Sequence, residues 1–166
     1  MDDEPIGDQA TPGVESVWDY PRPPAVRTVH ERVEIWFGGE HIAACDEAVQ
    51  VLETSHPPTY YLPQSAFEDG ALVPVRGTTF CEFKGVASYF DVVAGGRTAE
   101  RAAWHYPDAR GRYAVLLGHV AVMPGLMDRC TVDGEEVVPQ EGGFYGGWIT
   151  SKVTGPFKGA PGTLGW

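Results

Sequence analysis

The sequence is poor in basic residues and has no long apolar run. Its 12 Lys and Arg residues are outnumbered by 23 Asp and Glu residues, which gives a formal net charge of -11. Nonspecific binding to nucleic acid or to an anionic membrane needs a basic face, so we expect neither partner. No apolar stretch approaches the roughly 20 residues that span a bilayer, and the acidic N-terminus does not resemble a signal peptide. The sequence therefore predicts a cytoplasmic protein.

Cysteine is also scarce, with only Cys45, Cys81 and Cys130. They are odd in number and widely spaced, and no C-x-x-C motif occurs, so we expect no disulfide framework. His41 lies close to Cys45 in the sequence, but one Cys/His pair falls short of the four ligands of a zinc site. We predict reduced thiols and no bound metal. No cofactor-binding motif is visible, and we predict no cofactor.

Glycine and proline, in contrast, are abundant, with 21 and 14 residues interspersed among Phe, Tyr and Trp. This combination is typical of a folded chain with many turns. Residues 1–17 differ, because their acidic side chains have no basic neighbours and their Pro and Gly discourage regular structure. We predict a disordered acidic tail over residues 1–17 and a single domain over residues 18–166.

Alternation of apolar and polar residues predicts a mainly β fold. Val33, Ile35 and Phe37 share one face of a strand over residues 29–37, and Gly38-Gly39 turns the chain into a second strand over 40–44. Residues 48–52 form either a strand or one helical turn. The remaining predicted strands are 78–84, 86–93, 101–106, 113–123 with an interruption near Gly118, and a hairpin of 130–132 with 136–138. The glycine-rich stretch 140–166 predicts irregular backbone that packs on the sheets.

Several segments together resemble one known family. They are ETSHPPTYYLP at 53–63, CEFKG at 81–85, WHYP at 104–107, VDGE at 132–135, GGFYGGWIT at 142–150 and GPFKG at 155–159. This set resembles the DUF427 family, which is named for its unknown function, and the resemblance runs from Trp18 to Trp166. It implies a β-tent-like fold, in which two antiparallel sheets are joined at one edge. Relatives with that fold often hold zinc through paired C-x-x-C motifs, which this sequence lacks.

The first candidate site is the segment Glu53 to His56, which two prolines follow. A carboxylate beside an imidazole can hold its tautomer and raise its pKa, which would make a general acid/base pair. The alternative is a structural turn, in which Glu53 binds local backbone N–H groups and His56 is a satisfied turn residue. Both interpretations remain open at this point.

The second candidate site is the segment Cys81 to Lys84. On a strand, Glu82 and Lys84 would share one face, and Cys81 would lie on the core side. Glu82 and Lys84 could line a pocket, with Lys84 as an anion anchor or an activated amine. The alternative is a weak surface ion pair. No neighbouring base supports a reactive Cys81, and its reactivity is left open.

Aromatic residues supply candidate pocket walls, and the glycine-rich segment supplies a further cation. Trp104 and Tyr106 share a strand face, and such paired rings near ionisable groups are typical of small-molecule pockets. The candidate ligand-binding residues are Tyr61, Tyr89, Trp104, Tyr106 and Lys158. The alternative for most aromatics is a core position.

These observations support three hypotheses about function. The leading one is a protein that binds or converts a small organic molecule by cofactor-free acid/base chemistry, with Glu53, His56, Glu82 and Lys84 as the reacting groups. The second is a non-catalytic module that uses the same pocket to bind a ligand or a peptide end. The third is an interaction domain whose glycine-aromatic segment forms a homodimer.

Overall fold

About half of the described residues lie in strands. The computed structural model describes residues 13–143, 145–163 and 165–166. The strands are β1 Glu15–Ser16, β2 Ala25–Val29, β3 Val33–Phe37, β4 Glu40–Cys45, β5 Ala48–Leu52, β6 Thr59–Pro63, β7 Leu72–Cys81, β8 Gly85–Ala94, β9 Arg97–His105, β10 His119–Val122, β11 Arg129–Val132, β12 Glu135–Glu136, β13 Val138–Pro139, β14 Trp148–Ile149 and β15 Val153–Thr154. Short 3₁₀ helices lie at Val17–Asp19, Gln64–Ala66, Gly111–Leu116 and Pro124–Leu126. Within the described ranges, no helix has the length and apolar character needed to cross a membrane.

Two antiparallel sheets hold most of these strands, in agreement with the mainly β fold predicted from the sequence and with the two sheets that the family resemblance implies. Sheet I has the order β2-β5-β6-β10-β9-β8-β7, and sheet II has the order β12-β11-β3-β4. The largest group of buried apolar residues takes Phe37 and Ile42 from sheet II and Leu62 from sheet I. Since these residues belong to both sheets, the two sheets pack against each other through this core.

Sheet I buries apolar residues on both of its faces. Tyr60 joins the core with sheet II, whereas its neighbour Tyr61 joins a second apolar group that includes Tyr106 and Leu116. Successive residues of a strand point to opposite faces, which explains the separation of the two tyrosines. The face that carries Tyr61 also carries the candidate site.

The predicted hairpins β3–β4 and β11–β12 both form. Gly38 and Gly39 make the first turn with φ values of 63° and 79°, and Asp133 and Gly134 make the second with 50° and 83°. Positive φ at both central residues is typical of the turns that suit twisted antiparallel strands. Residues 48–52, for which a helical turn was the alternative, form strand β5.

The predicted tail boundary at residue 17 is wrong. Residues 1–12 lie outside the described residues, but Glu15–Ser16 pairs with Val153–Thr154 as a parallel ladder. Val17 is 0% exposed, and both guanidinium NH groups of Arg27 donate to the Glu15 carboxylate, at 2.8 and 3.0 Å. The charge pattern of residues 1–17 does not reveal that Glu15 pairs with Arg27, which lies outside that segment, so it misplaces the boundary.

The predicted strand over 113–123 is only partly correct. Its first half is the 3₁₀ helix Gly111–Leu116, and only His119–Val122 is a strand. The helix buries Tyr113 and Leu116, and the Tyr113 hydroxyl donates to the Pro24 carbonyl oxygen at 2.6 Å. Apolar residues in this half therefore reflect burial against sheet I and not strand pairing. The described residues within 140–166 are irregular, as predicted, apart from β14 and β15.

Candidate functional site

One cleft brings together most of the residues singled out in the sequence. It encloses about 360 Å³, and we call it the histidine cleft. The residues that matter for its chemistry are Glu53, His56, Tyr61, Lys84, Trp104, Tyr106, Gln140, Tyr145 and Lys158. Of the nine predicted site residues, Glu82 and Tyr89 are missing from its lining.

His56 reaches the cleft from a tight turn that distant segments hold. The His56 N–H donates to the Glu53 carbonyl oxygen at 3.0 Å, and Ser55 has a φ of 71°. The Ser55 N–H donates to Val17 O at 3.1 Å, while Ser55 O accepts from the Lys158 N–H at 2.8 Å. The predicted turn is thus present, and it also places the imidazole in the cleft.

Gln140 makes the only side-chain hydrogen bond to the His56 ring within the described part of the chain. Its Nε2 lies 3.2 Å from His56 Nδ1 and donates to the Lys158 carbonyl oxygen at 2.8 Å. Its Oε1 accepts from the Gly147 N–H at 3.1 Å. Gln140 is only 5% exposed, so this amide joins three segments of the chain in the interior.

His56 is neutral at pH 7. Burial lowers its pKa from 6.5, and the nearby cations Lys158, Arg22 and Lys84 lower it further, whereas Glu53 opposes them. Desolvation and like charge both disfavour the imidazolium form. The ring also lies 5.5 Å from that of Tyr145, between centroids.

Glu53 lines the same cleft, but its side chain binds Arg22 and not His56. Its carboxylate accepts from Arg22 Nε at 3.2 Å, and the Arg22 NH2 group also donates to the Thr54 carbonyl oxygen at 3.0 Å. No hydrogen bond between the Glu53 and His56 side chains occurs among the described residues. The two groups predicted as an acid/base pair therefore share a cleft without forming a direct pair.

Lys84 and Lys158 bring positive charge to the cleft. Their Nζ atoms lie 5.5 Å from the ring centroid of Tyr106 and 5.9 Å from that of Tyr145. The whole chain contains only three lysines. The third, Lys152, donates to Glu31 and Asp133 instead, at 2.5 and 3.0 Å.

The predicted shared face of Glu82 and Lys84 is wrong. Strand β7 ends at Cys81, and residues 82–84 form the hairpin turn that leads into β8. Strand alternation does not extend through a turn. Lys84 lines the cleft, whereas Glu82 is exposed and lies outside the lining.

Aromatic rings form one wall of the cleft. Trp104 on β9 and Tyr61 on β6 are separated by β10, and the Trp104 indole N–H donates to the Tyr61 hydroxyl at 3.2 Å. The Tyr61 and Tyr106 rings lie 6.4 Å apart. Burial raises the pKa of both tyrosines, so each phenol stays protonated at neutral pH. This wall is apolar and uncharged.

Tyr89 lies in a neighbouring cavity of about 410 Å³, which we call the Tyr89 cavity. It shares Trp104 and Tyr106 with the histidine cleft, and Met123 and Leu126 add apolar surface. The Arg101 guanidinium lies over the Tyr89 ring, 4.3 Å from its centroid. Tyr89 therefore does not line the histidine cleft with the other predicted wall residues, and it is connected to them only by Trp104 and Tyr106, which line both cavities.

Sequence reasoning did not identify Gln140 and Tyr145 as site residues. Tyr145 stands inside the motif GGFYGGWIT, so its family segment was recognised while its role was not. Gln140 has no motif of its own, and its only signal is its position at the start of the glycine-rich stretch. Among the described residues, no group of three or more His, Cys, Asp or Glu is placed to hold a metal ion.

The fold and the cleft define a class of protein: a mainly β protein with an aromatic-walled cleft that carries lysine and a neutral histidine. A family model described as a domain of unknown function, DUF427, matches residues 25–133, more than half of the chain. This chain belongs to the DUF427 family. The match includes Glu53, His56 and Lys84 and ends before Gln140. No curated protein matches the chain.

Proposed function

We propose that this protein binds a small organic anion in the histidine cleft. The observation that carries the proposal is the placement of two of only three lysines, Lys84 and Lys158, around one cleft. The chain as a whole has a net charge of -11, so a cleft with two ammonium groups contrasts with the rest of the molecule. Clefts lined by charge of one sign attract ligands of the opposite sign.

The one carboxylate of the cleft is largely offset by a cation. Glu53 is paired with Arg22, and no salt bridge to Lys84 or Lys158 occurs among the described residues. Both lysines instead lie over aromatic rings, which leaves their N–H groups available to a ligand oxygen. A charge-assisted hydrogen bond of this kind contributes about 1.5–3 kcal/mol.

The walls favour a ligand with a flat apolar part. Trp104, Tyr61 and Tyr106 present rings to the cleft, and aromatic faces bind planar groups well. The volume of about 360 Å³ falls within the range of small-molecule sites, roughly 300–1,000 Å³. An aryl carboxylate combines the charge and the shape that this cleft suits.

Calorimetric titration tests the proposal with benzoate, phenylacetate and their neutral amides. We expect the carboxylates to bind at least about tenfold more tightly than the amides. Lys84→Met should weaken carboxylate binding by a similar factor and leave amide binding unchanged. Arg110→Met is the matched control, since Arg110 is exposed and lies outside the cleft. Equal binding of acid and amide, no binding of any of them, or an unaffected Lys84→Met variant would refute the proposal.

In a catalytic version of the same proposal, the protein converts the molecule that it binds. The cleft holds separate acidic and basic groups that favour it, because the neutral His56 imidazole can donate a hydrogen bond and the Glu53 carboxylate can accept a proton. Incubation with a panel of small organic acids, followed by product analysis, separates conversion from simple binding. A peptide C-terminus carries the same carboxylate and belongs to the binding alternative.

The homodimer hypothesis has less support from the glycine-aromatic segment. Trp148 is fully buried in the chain's own core, and Tyr145 lines the histidine cleft. Neither ring is therefore available to build a subunit interface. Light scattering on the intact chain measures its oligomeric state.

A further inference from the structure

Gln140 has its side-chain amide orientation fixed by two groups that each play only one hydrogen-bonding role. The Gly147 N–H can only donate, so the amide atom 3.1 Å from it is the oxygen. The Lys158 carbonyl can only accept, so the atom 2.8 Å from it is the nitrogen. Both contacts agree on the orientation of one buried amide.

This orientation also determines the protonation of the His56 ring. The second hydrogen of the Gln140 amide nitrogen points to the remaining contact, His56 Nδ1 at 3.2 Å. An N–H donor requires a lone pair on Nδ1, and a neutral imidazole then carries its proton on Nε2. Nε2 has no hydrogen-bond partner among the described residues, so it is the ring nitrogen left for a ligand.

We propose that Gln140 is a positioning residue that holds His56 as the neutral Nε2–H tautomer, so that the cleft presents a donor to a carboxylate or carbonyl oxygen of its ligand. This inference rests on the proposed function and narrows it. A carboxylate partner, as in the serine-protease arrangement, holds the opposite tautomer and leaves Nε2 as a base. An amide N–H at Nδ1 gives the reverse result, and neutral imidazole is known to act as such a donor in enzymes.

The consequence is that His56 does not serve as the base of an acid/base pair with Glu53. Lys84, Lys158 and the His56 Nε2–H together supply donors from three separate segments, and all three side chains line one cleft. A ligand group that can only donate hydrogen bonds, such as an ammonium, would find no acceptor at Nε2. The ligand group that contacts Nε2 is thereby restricted to one that accepts a hydrogen bond.

Nitrogen-15 NMR of the histidine rings tests the tautomer directly. Long-range ¹H–¹⁵N correlations distinguish the protonated from the lone-pair nitrogen in each ring, and the His56 signals are those that vanish in His56→Gln. We expect Nε2–H for His56 in the wild-type protein at pH 7.5. In Gln140→Glu, a carboxylate should accept from Nδ1–H, so the pattern should reverse. A wild-type His56 with its proton on Nδ1 overturns the proposal without requiring any variant to fold.

Binding of benzoate tests the second part, that Nε2–H contacts the ligand. His56→Phe should weaken benzoate binding about tenfold, while His56→Gln, whose amide can donate from a similar place, should recover most of the loss. Equal losses in both variants overturn this part. If benzoate does not bind the wild-type protein, the proposed function fails, while the NMR result still decides the tautomer.

Discussion

Gly38 and Gly95 lie in the turns of two different hairpins, and their backbones touch. A Cβ atom on Gly38 would overlap the Ala94 carbonyl, and one on Gly95 would overlap Gly38 O. The first hairpin belongs to sheet II and the second to sheet I, so this contact joins the two sheets where each reverses direction. Both glycines also have positive φ, 63° and 57°.

Alanine at either position should therefore destabilise the protein. We expect Gly38→Ala or Gly95→Ala to lower the free energy of unfolding by at least about 2 kcal/mol, because backbone overlap adds to the strain of positive φ. Gly39→Ala is the matched control, since it shares the turn and the positive φ but has open space around its Cβ. Urea denaturation measures all three, and equal losses at Gly38 and Gly39 would show that the contact contributes nothing.

A substitution at Gly147 should disrupt the histidine cleft by displacing Gln140. Its Cβ would lie 2.5 Å from both Gln140 Oε1 and Pro57 Cγ, so Gly147→Ala should push the Gln140 amide away from His56. We expect a lower melting temperature and weaker benzoate binding. Gly143→Ala has no atom within 4 Å of its Cβ and should change neither. Calorimetry and thermal melting report both quantities, and an intact affinity in Gly147→Ala would contradict the role given to Gln140.

Stability should fall as the pH drops from 7.5 towards 5. Burial lowers the pKa of His56 and of His105 from 6.5, so the unfolded chain takes up these protons first. The contribution of the two neutral imidazoles to the free energy of unfolding is therefore complete above pH 6.5, the unfolded-state pKa. It is lost as the pH falls from there through the lower folded-state pKa. Thermal melts across this range should show a smaller slope in His56→Gln than in the wild type. His30→Gln, at an exposed side chain, is the control. An unchanged slope in His56→Gln would refute the prediction.

Removal of residues 1–17 should destabilise the protein. Such a deletion loses the fully buried Val17 and the Glu15–Arg27 ion pair, although the sequence pattern predicted a disordered segment with little to bury. We expect the melting temperature to fall by more than about 4 °C, which corresponds to roughly 1 kcal/mol. Val17→Ala in the intact chain should reproduce part of this loss. A deletion variant that melts at the wild-type temperature would contradict this expectation and would support a disordered segment over residues 1–17.

Local pattern was a good guide to the strands and a poor guide to their ends. The alternation of Val33, Ile35 and Phe37 predicted β3 because one face of that strand is buried and the other is not. The same rule failed after Cys81, where a turn replaces the strand and separates Glu82 from the cleft. Alternation depends on backbone that stays extended, and nothing local shows where pairing stops.

The sequence could identify only some residues of the candidate site, because the others are placed by contacts between distant segments. His56, Lys84 and Trp104 stand in motifs, so a resemblance could identify them. Gln140 acts through a hydrogen bond to a residue far away in the sequence, and an isolated glutamine carries no pattern that reveals such a partner. Interactions of this kind depend on how the segments pack, which single-sequence reasoning does not determine.

The pairing of Glu15–Ser16 with Val153–Thr154 has a consequence for biosynthesis. On the ribosome, β1 emerges early and must wait for a partner that is translated much later. The histidine cleft is also completed late, because Gln140, Tyr145, Gly146 and Lys158 are its last lining residues to be translated. A product of translation interrupted before residue 140 therefore carries the family motifs of residues 53–135 without a finished cleft, and the lining is complete only when residue 158 has left the exit tunnel.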